Sequence, residues 1–283
     1  MMLNLRKLCS CCFVVSDIQE VDIIDRDQGK TPSVHDCTQI SIANSKSTMA
    51  QSTMEILKLT LIVIDSVKMI IGSQFEIFPY GLKSSQRNIK DGCIYAGSLD
   101  KIGNLKINDI LLPEEEKGVG KRHFMIQYVK DKCTYMIKDM GEGMGTFIRL
   151  DRLLKLQNNF IISFGESHVI VQIEASWLIL RFIDGPRNEE KFNFSPNNSP
   201  VKLGRMADCD IRFDDNSLSR YHCMFVYENH WLLRDGDGEK LSTNGTWLFA
   251  ENFFEIFDGI TFKVGETLFK AQLTNELANI SKS

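Results

Sequence analysis

The chain has 283 residues, 43% of them apolar and 25% charged, with a formal net charge of −4. That length supplies two domains of ordinary size, and the balance is that of a globular chain rather than a disordered or fibrous one. The acidic net charge gives no overall basic field for nucleic acid, and no run of eighteen apolar residues offers a membrane-spanning helix.

At the N-terminus, Arg6-Lys7 precede a short apolar stretch, Leu8–Val15, and Ser16-Asp17 gives no small-residue cleavage pattern. A secretory signal is therefore not expected. The expected location is intracellular, cytoplasmic first, with membrane-associated and nuclear placements as alternatives. Cys9, Cys11 and Cys12 follow two cations and precede Phe13-Val14-Val15, a pattern suited to a lipid anchor by S-palmitoylation. The plain alternative is a leader with unmodified thiols. Residues 16–55 are rich in Ser, Thr, Asp, Asn and Gln and have too few large apolar residues to offset chain entropy, so residues 1–55 read as a flexible leader.

Leu57–Ile71 is apolar but carries Lys58, Asp65 and Lys68, which reads as a buried strand or helix. From Ile56 onward short runs such as Phe124–Val129, Tyr135–Lys138, Val169–Ile173, Trp177–Ile183 and Cys223–Tyr227 are separated by Gly, Asn, Asp and Pro. Many alternate apolar with polar residues, the period of a strand packed on one face. The chain reads as all-β. Cys93, Cys133, Cys209 and Cys223 lie in or beside these runs and read as small core hydrophobes. A metal site would need paired ligands at finger-like spacing, and the N-terminal cysteine cluster has no partner pair, so no metal or cofactor is expected.

The segment repeats internally. Gly145-Thr146-Phe147-Ile148 recurs as Gly245-Thr246-Trp247-Leu248, and Phe164-Gly165-Glu166-Ser167 as Val264-Gly265-Glu266-Thr267. His123 corresponds to His222, Gly97 to Gly204, Tyr135 to Trp231 and Asp139 to Asp235. Landmarks kept in order imply two copies of one β-sandwich. The expected division is 56–174 and 175–275, with almost no linker near 174–176 and a tail over 276–283.

In the second copy, Gly204-Arg205 ends a strand-like run. Ser219-Arg220-Tyr221-His222 follows a turn-rich loop, and Thr243-Asn244-Gly245-Thr246 precedes the closing strands. A phosphate monoester needs charge-assisted donors converging from several loops, and a guanidinium fork matches its oxygens without losing its charge. Two arginines, two hydroxyl residues and an amide provide such a set. The order Gly-Arg, Ser-Arg-x-His, Asn-Gly-Thr and a closing strand pair about a glycine resembles the forkhead-associated (FHA) family.

The resemblance implies tandem FHA-type β-sandwiches and a phosphothreonine-containing protein as partner. It implies that Arg205 steers the phosphate and holds the peptide main chain, that Ser219 meets the phosphate directly and that Arg220 adds charge. It further implies that Thr243 donates to phosphate and lines the space for the threonine methyl, and that Asn244 binds the peptide backbone. Gly204, His222 and Gly245 take supporting roles. The path from Asp235 to Asn244 is longer than the family pattern because of Gly236–Lys240, a segment whose acidic residues oppose acidic flanking sequence in a ligand.

The first copy has Gly97-Ser98 for Gly-Arg, Gly120-Lys121-Arg122-His123 for Ser-Arg-x-His and Met144-Gly145-Thr146 for Asn-Gly-Thr. Guanidinium, hydroxyl and amide are all replaced while the frame is kept. This copy reads as a degenerate FHA-like domain with a structural or partner-binding role. No nucleotide loop, nucleophile elbow, kinase signature or HExxH pattern occurs, so no enzyme activity is expected. The function expected is a phosphothreonine-binding adaptor, and the alternative is a scaffold in which neither copy reads phosphate.

Overall fold

The computed structural model describes residues 23–24, 53–84 and 92–279. The cysteine cluster and most of the leader lie outside the described residues. Regular structure among the described residues is almost entirely strand, with only two single turns of 3-10 helix, Lys130–Lys132 and Pro196–Asn198. Both repeats share the same plan. The first supplies β1 (Thr53–Asp65), β2 (Gln74–Phe78), β3 (Cys93–Gly97), β4 (Ile110–Leu111) and β5 (Phe124–Val129). It continues with β6 (Thr134–Asp139), β7 (Thr146–Arg149), β8 (Leu153–Lys155), β9 (Ile161–Phe164) and β10 (Ser167–Glu174). The second supplies β11 (Trp177–Asp184), β12 (Lys191–Phe194), β13 (Val201–Gly204), β14 (Ile211–Arg212) and β15 (Cys223–Tyr227). It ends with β16 (Trp231–Asp235), β17 (Trp247–Phe249), β18 (Phe254–Ile256), β19 (Thr261–Val264) and β20 (Thr267–Asn279).

The sheets do not follow the repeats. One eleven-stranded sheet runs β12-β11-β10-β9-β17-β7-β19-β20-β1-β2, followed by Gly81–Leu82. A second sheet runs β8-β16-β15-β13-β14 and a third β18-β6-β5-β3-β4. In the first sandwich, β1 to β7 of the N-terminal repeat are therefore completed by β18 to β20 of the C-terminal one. The second sandwich is the contiguous stretch β8 to β17, in which the last three strands of the N-terminal repeat precede the first seven of the C-terminal repeat. The two repeats have exchanged their final three strands.

This arrangement corrects the expected boundary. Glu174 pairs with Trp177, so residues 175–176 are the tip of a hairpin inside one sandwich, with Ala175 at φ +54°. The crossings between sandwiches fall after β7 and after β17. The leader expectation also changes at its described part, because Ile23–Ile24 pair antiparallel with Leu153–Leu154 and extend the sheet beyond β8. The first strand begins at Thr53, and β20 runs to Asn279, past the expected end at 275. Those thirteen-residue strands pair with each other along nearly their whole length.

Alternation sets which face is buried. Leu59, Leu61 and Val63 of β1 are fully buried, as are Phe124 and Ile126 of β5, while the residues between Phe124 and Ile126 and beyond are only partly covered. The core of each sandwich holds one large aromatic with a polar tip. Tyr135 is fully buried and its hydroxyl donates to the carbonyl of Leu57 at 2.8 Å; Trp231 is 1% exposed and its indole N–H donates to the carbonyl of Ser176 at 2.8 Å. A buried aromatic hydroxyl or indole needs such a partner, and here the partner is backbone in or next to the first strand of the same repeat.

Candidate functional site

The loop end of the second sandwich is built where β13 and β16 stop and β15 begins. Gly204 closes β13 against the loop before β15, and a Cβ there would lie 2.3 Å from the Arg220 carbonyl oxygen. Only glycine permits that approach, which lets the amides of Arg205 and Met206 donate to the same carbonyl at 3.1 and 3.2 Å. The strand end thereby turns Arg205 outward beside the 214–222 loop.

His222 fixes that loop from below. It is fully buried, its Nδ1 accepts from the Ser219 amide at 3.1 Å, and its Nε2 lies 3.2 Å from the Gly245 carbonyl. Because Nδ1 is an acceptor, the ring proton sits on Nε2 and donates to Gly245. Burial lowers the His222 pKa and keeps this tautomer neutral. The imidazole thus ties the Ser219 loop to the turn at Gly245.

The two loops are also linked directly. Ser219 Oγ accepts from the Thr243 amide at 3.0 Å, and Asn244 Nδ2 donates to the Ser217 carbonyl at 2.8 Å. Arg205 reaches Asn216 Oδ1 at 3.4 Å, and Gly245, at φ +80°, takes the turn into β17. Arg205, Arg220, Thr243 and Asn244 are exposed, and neither arginine has a carboxylate partner among the described residues. The structure therefore brings Arg205, Ser219, Thr243 and Asn244 to one end, with Arg220 beside them. Two solvent-facing guanidinium groups stand over a network of hydroxyls and amides.

Sequence reasoning missed the clamp beneath the turn. Asp235 is 3% exposed and accepts from the Ser242 amide at 2.8 Å, Ser242 Oγ at 2.7 Å and Thr246 Oγ1 at 2.5 Å. Ser242 Oγ in turn accepts from the Gly245 amide at 3.0 Å. The long Gly236–Lys240 segment is closed on itself by Asp237, whose Oδ1 accepts the amides of Glu239 and Lys240 and whose pKa is lowered by them. A signal was present in Asp235 and Ser242 flanking that insertion, but a serine in a turn usually serves only the turn.

The corresponding end of the first sandwich is closed. Met144, in the place of Asn244, packs against Gly118, where an added Cβ would lie 2.6 Å from its sulfur. Arg122 is committed: its guanidinium stacks 4.2 Å from the Tyr95 ring centre and donates to the Ile107 carbonyl at 3.1 Å. Apolar side chains project here instead, with Val67, Ile70, Ile102 and Leu105 at 61–80% exposure. His123 keeps its supporting role, since its Nδ1 accepts the Gly120 amide at 2.9 Å.

The exchanged turns sit at these same ends. Gly165, from the N-terminal repeat, abuts Ser217 and Leu218 of the second sandwich, while Glu116 of the first sandwich accepts from the amide of Glu266 at 2.6 Å. Among the described residues no group of three or more His, Cys, Asp or Glu could hold a metal ion, and no helix is long and apolar enough to cross a membrane.

Comparison with known families finds the FHA domain at two places, residues 101–165 and 201–264. These segments follow the sequence repeat, whereas the sandwiches do not. No curated protein matches the chain.

Proposed function

We propose that this chain, which carries two FHA domains in tandem, is an adaptor that binds phosphothreonine peptides through the loop end of its second sandwich. FHA domains are in general phosphothreonine-binding interaction modules, which supports this class of ligand, and the loop end of the second sandwich supports this choice of copy. The observation that carries the reading is the convergence of Arg205, Ser219, Thr243 and Asn244 on one hydrogen-bonded end, with Arg205 and Arg220 free of carboxylate partners among the described residues. An unpaired guanidinium beside hydroxyl and amide donors suits a dianion bearing several acceptor oxygens.

The first sandwich acts as a frame. The N-terminal repeat lends β8 to β10 to the second sandwich, and the loop end of the first sandwich lacks the guanidinium, hydroxyl and amide set. The test is calorimetry on the full chain with one peptide in three forms, carrying phosphothreonine, phosphoserine or threonine. Phosphothreonine binds best, phosphoserine about fivefold more weakly for the loss of one buried methyl, and threonine not measurably. Equal or absent binding of all three by a folded chain would leave the scaffold reading in its place.

A further inference from the structure

The strand exchange carries a turn of the N-terminal repeat to the ligand-facing end of the second sandwich, where it becomes one wall of a cavity. The cavity has a volume of about 650 Å³. Its lining includes Gly165 and Glu166 from the β9–β10 turn, Asp214 and Ser217 from the loop before β15, Asn244 before β17, and Lys263 of β19. Asn244 already belongs to the candidate peptide site and donates to the Ser217 carbonyl, so the cavity opens onto that site. Five separate segments, drawn from both repeats, line it, the fifth being Pro186 between β11 and β12.

The turn is seated on the reading loop. Gly165 has φ +52°, and a Cβ on it would come within 3.1–3.2 Å of Leu218, Asp215 and Ser217. That contact fixes where Glu166 stands. Glu166 and Asp214 are exposed and have no ion-pair or hydrogen-bond partner for their carboxylates among the described residues. Asp215, the third carboxylate of the lining, accepts from the amide and hydroxyl of Ser217 at 2.7 and 2.8 Å. Against these stands one ammonium, Lys263, held over the Trp247 and Phe147 rings at 4.8 and 5.3 Å. Three carboxylates and one ammonium leave the cavity negative, immediately beside an end whose arginines attract phosphate.

Resting on the phosphothreonine reading above, we propose that this cavity takes a basic side chain of the bound peptide, near the phosphothreonine in sequence, and that Glu166 sets the preference. The ligand class is then a phosphothreonine peptide with an arginine or lysine neighbour. A specificity residue of the reading site would thus come from the repeat that has lost its own phosphate ligands.

The experiment uses the full chain and phosphothreonine peptides in which each neighbouring position is arginine, alanine or glutamate in turn, with unphosphorylated controls. At one position arginine should bind about three- to fivefold tighter than alanine, the range of a partly exposed charge pair, and glutamate more weakly than both. Glu166→Gln should erase the arginine advantage while leaving the alanine peptide unchanged, and Glu166→Lys should invert it toward glutamate. Glu166 is exposed on a turn, so both variants keep the fold. Phosphate discrimination without an arginine preference, or a preference untouched by Glu166→Gln, overturns this inference alone. Failure to tell phosphorylated from unphosphorylated peptide overturns the phosphate reading and this inference with it.

Discussion

Ile148 pairs with Leu248, its own counterpart one repeat later, where β7 and β17 run antiparallel at the middle of the eleven-stranded sheet. Two residues further on, Leu150 donates its amide to the Thr246 carbonyl and Ala250 donates to the Thr146 carbonyl, both at 2.9 Å. These reciprocal bonds place a local two-fold axis between the sandwiches and put the two crossing segments side by side. The exchange therefore rests on the path of a few residues after β7 and after β17. All strands on either side are the same whichever path is taken.

This topology predicts unequal effects of truncation. A chain ending at Ala250 keeps every strand of the second sandwich and removes β18, β19 and β20 from the first. The first sandwich then loses Phe254, Phe262 and Phe269 from its core, each worth about 3–5 kcal/mol, and should unfold. The second should stay folded and retain phosphopeptide binding. Two-dimensional NMR of the truncated chain checks this. Loss of the dispersed signals of residues 177–249 would mean that the sandwiches are divided at 174–176 after all.

The all-β class, the repeat and its order were readable because each strand carries its own alternation and each turn its own glycine. The exchange was not readable, because β8–β10 and β18–β20 are interchangeable in pattern: Phe164-Gly165-Glu166 and Val264-Gly265-Glu266 fit either frame. The candidate site residues were legible as motif positions on both sides of β15 and β16. Glu166 was not, since in sequence it belongs to the other copy. Asp235 was legible only as a landmark, because its role depends on Ser242 and Thr246 folding back over it.

Arg205 and Arg122 make a matched pair of substitutions. Arg205→Ala removes a guanidinium with no carboxylate partner among the described residues and should weaken phosphothreonine binding roughly 10- to 100-fold, the worth of about 1.5–3 kcal/mol for a charge-assisted hydrogen bond. Arg122→Ala removes a guanidinium already spent on Tyr95 and Ile107, so peptide affinity should not change. Calorimetry with one phosphopeptide measures both. The opposite ranking would place the reading site in the first sandwich.

His222→Ala should weaken binding and the second sandwich together. It strands the Ser219 amide and the Gly245 carbonyl and opens a cavity, at a cost of about 2–4 kcal/mol. The same ring predicts a pH response. Burial lowers its folded pKa below the unfolded value near 6.5, so the unfolded chain takes up the proton first. The stability it contributes is complete above that pH and declines as pH falls toward the folded pKa. Chemical denaturation of the second sandwich at a series of pH values should show that decline in the native chain.

Asp139 and Asp235 occupy the same place in the two sandwiches and should respond oppositely to amidation. Asp235 has three donors, and Asp235→Asn should destabilise the second sandwich by about 1–3 kcal/mol by turning an acceptor into an N–H facing donors. Asp139 has glutamate, not serine, at the position matching Ser242. Its Oδ1 accepts the Gly141 amide at 2.7 Å, while its Oδ2 is buried without a hydrogen-bond partner among the described residues, 4.0 Å from His123 Nε2. Burial accordingly pushes its pKa up to about 6. A raised carboxyl pKa means that the folded state binds the proton more tightly, so the penalty is absent below about pH 4, grows as pH rises toward 6 and is complete above it. Asp139→Asn should therefore stabilise the first sandwich by about 1–3 kcal/mol at pH 7, with the gain shrinking to nothing near pH 4. Denaturation curves at both pH values decide it: a loss of stability at pH 7 would mean that the carboxylate is paired with a protonated His123 in the native state.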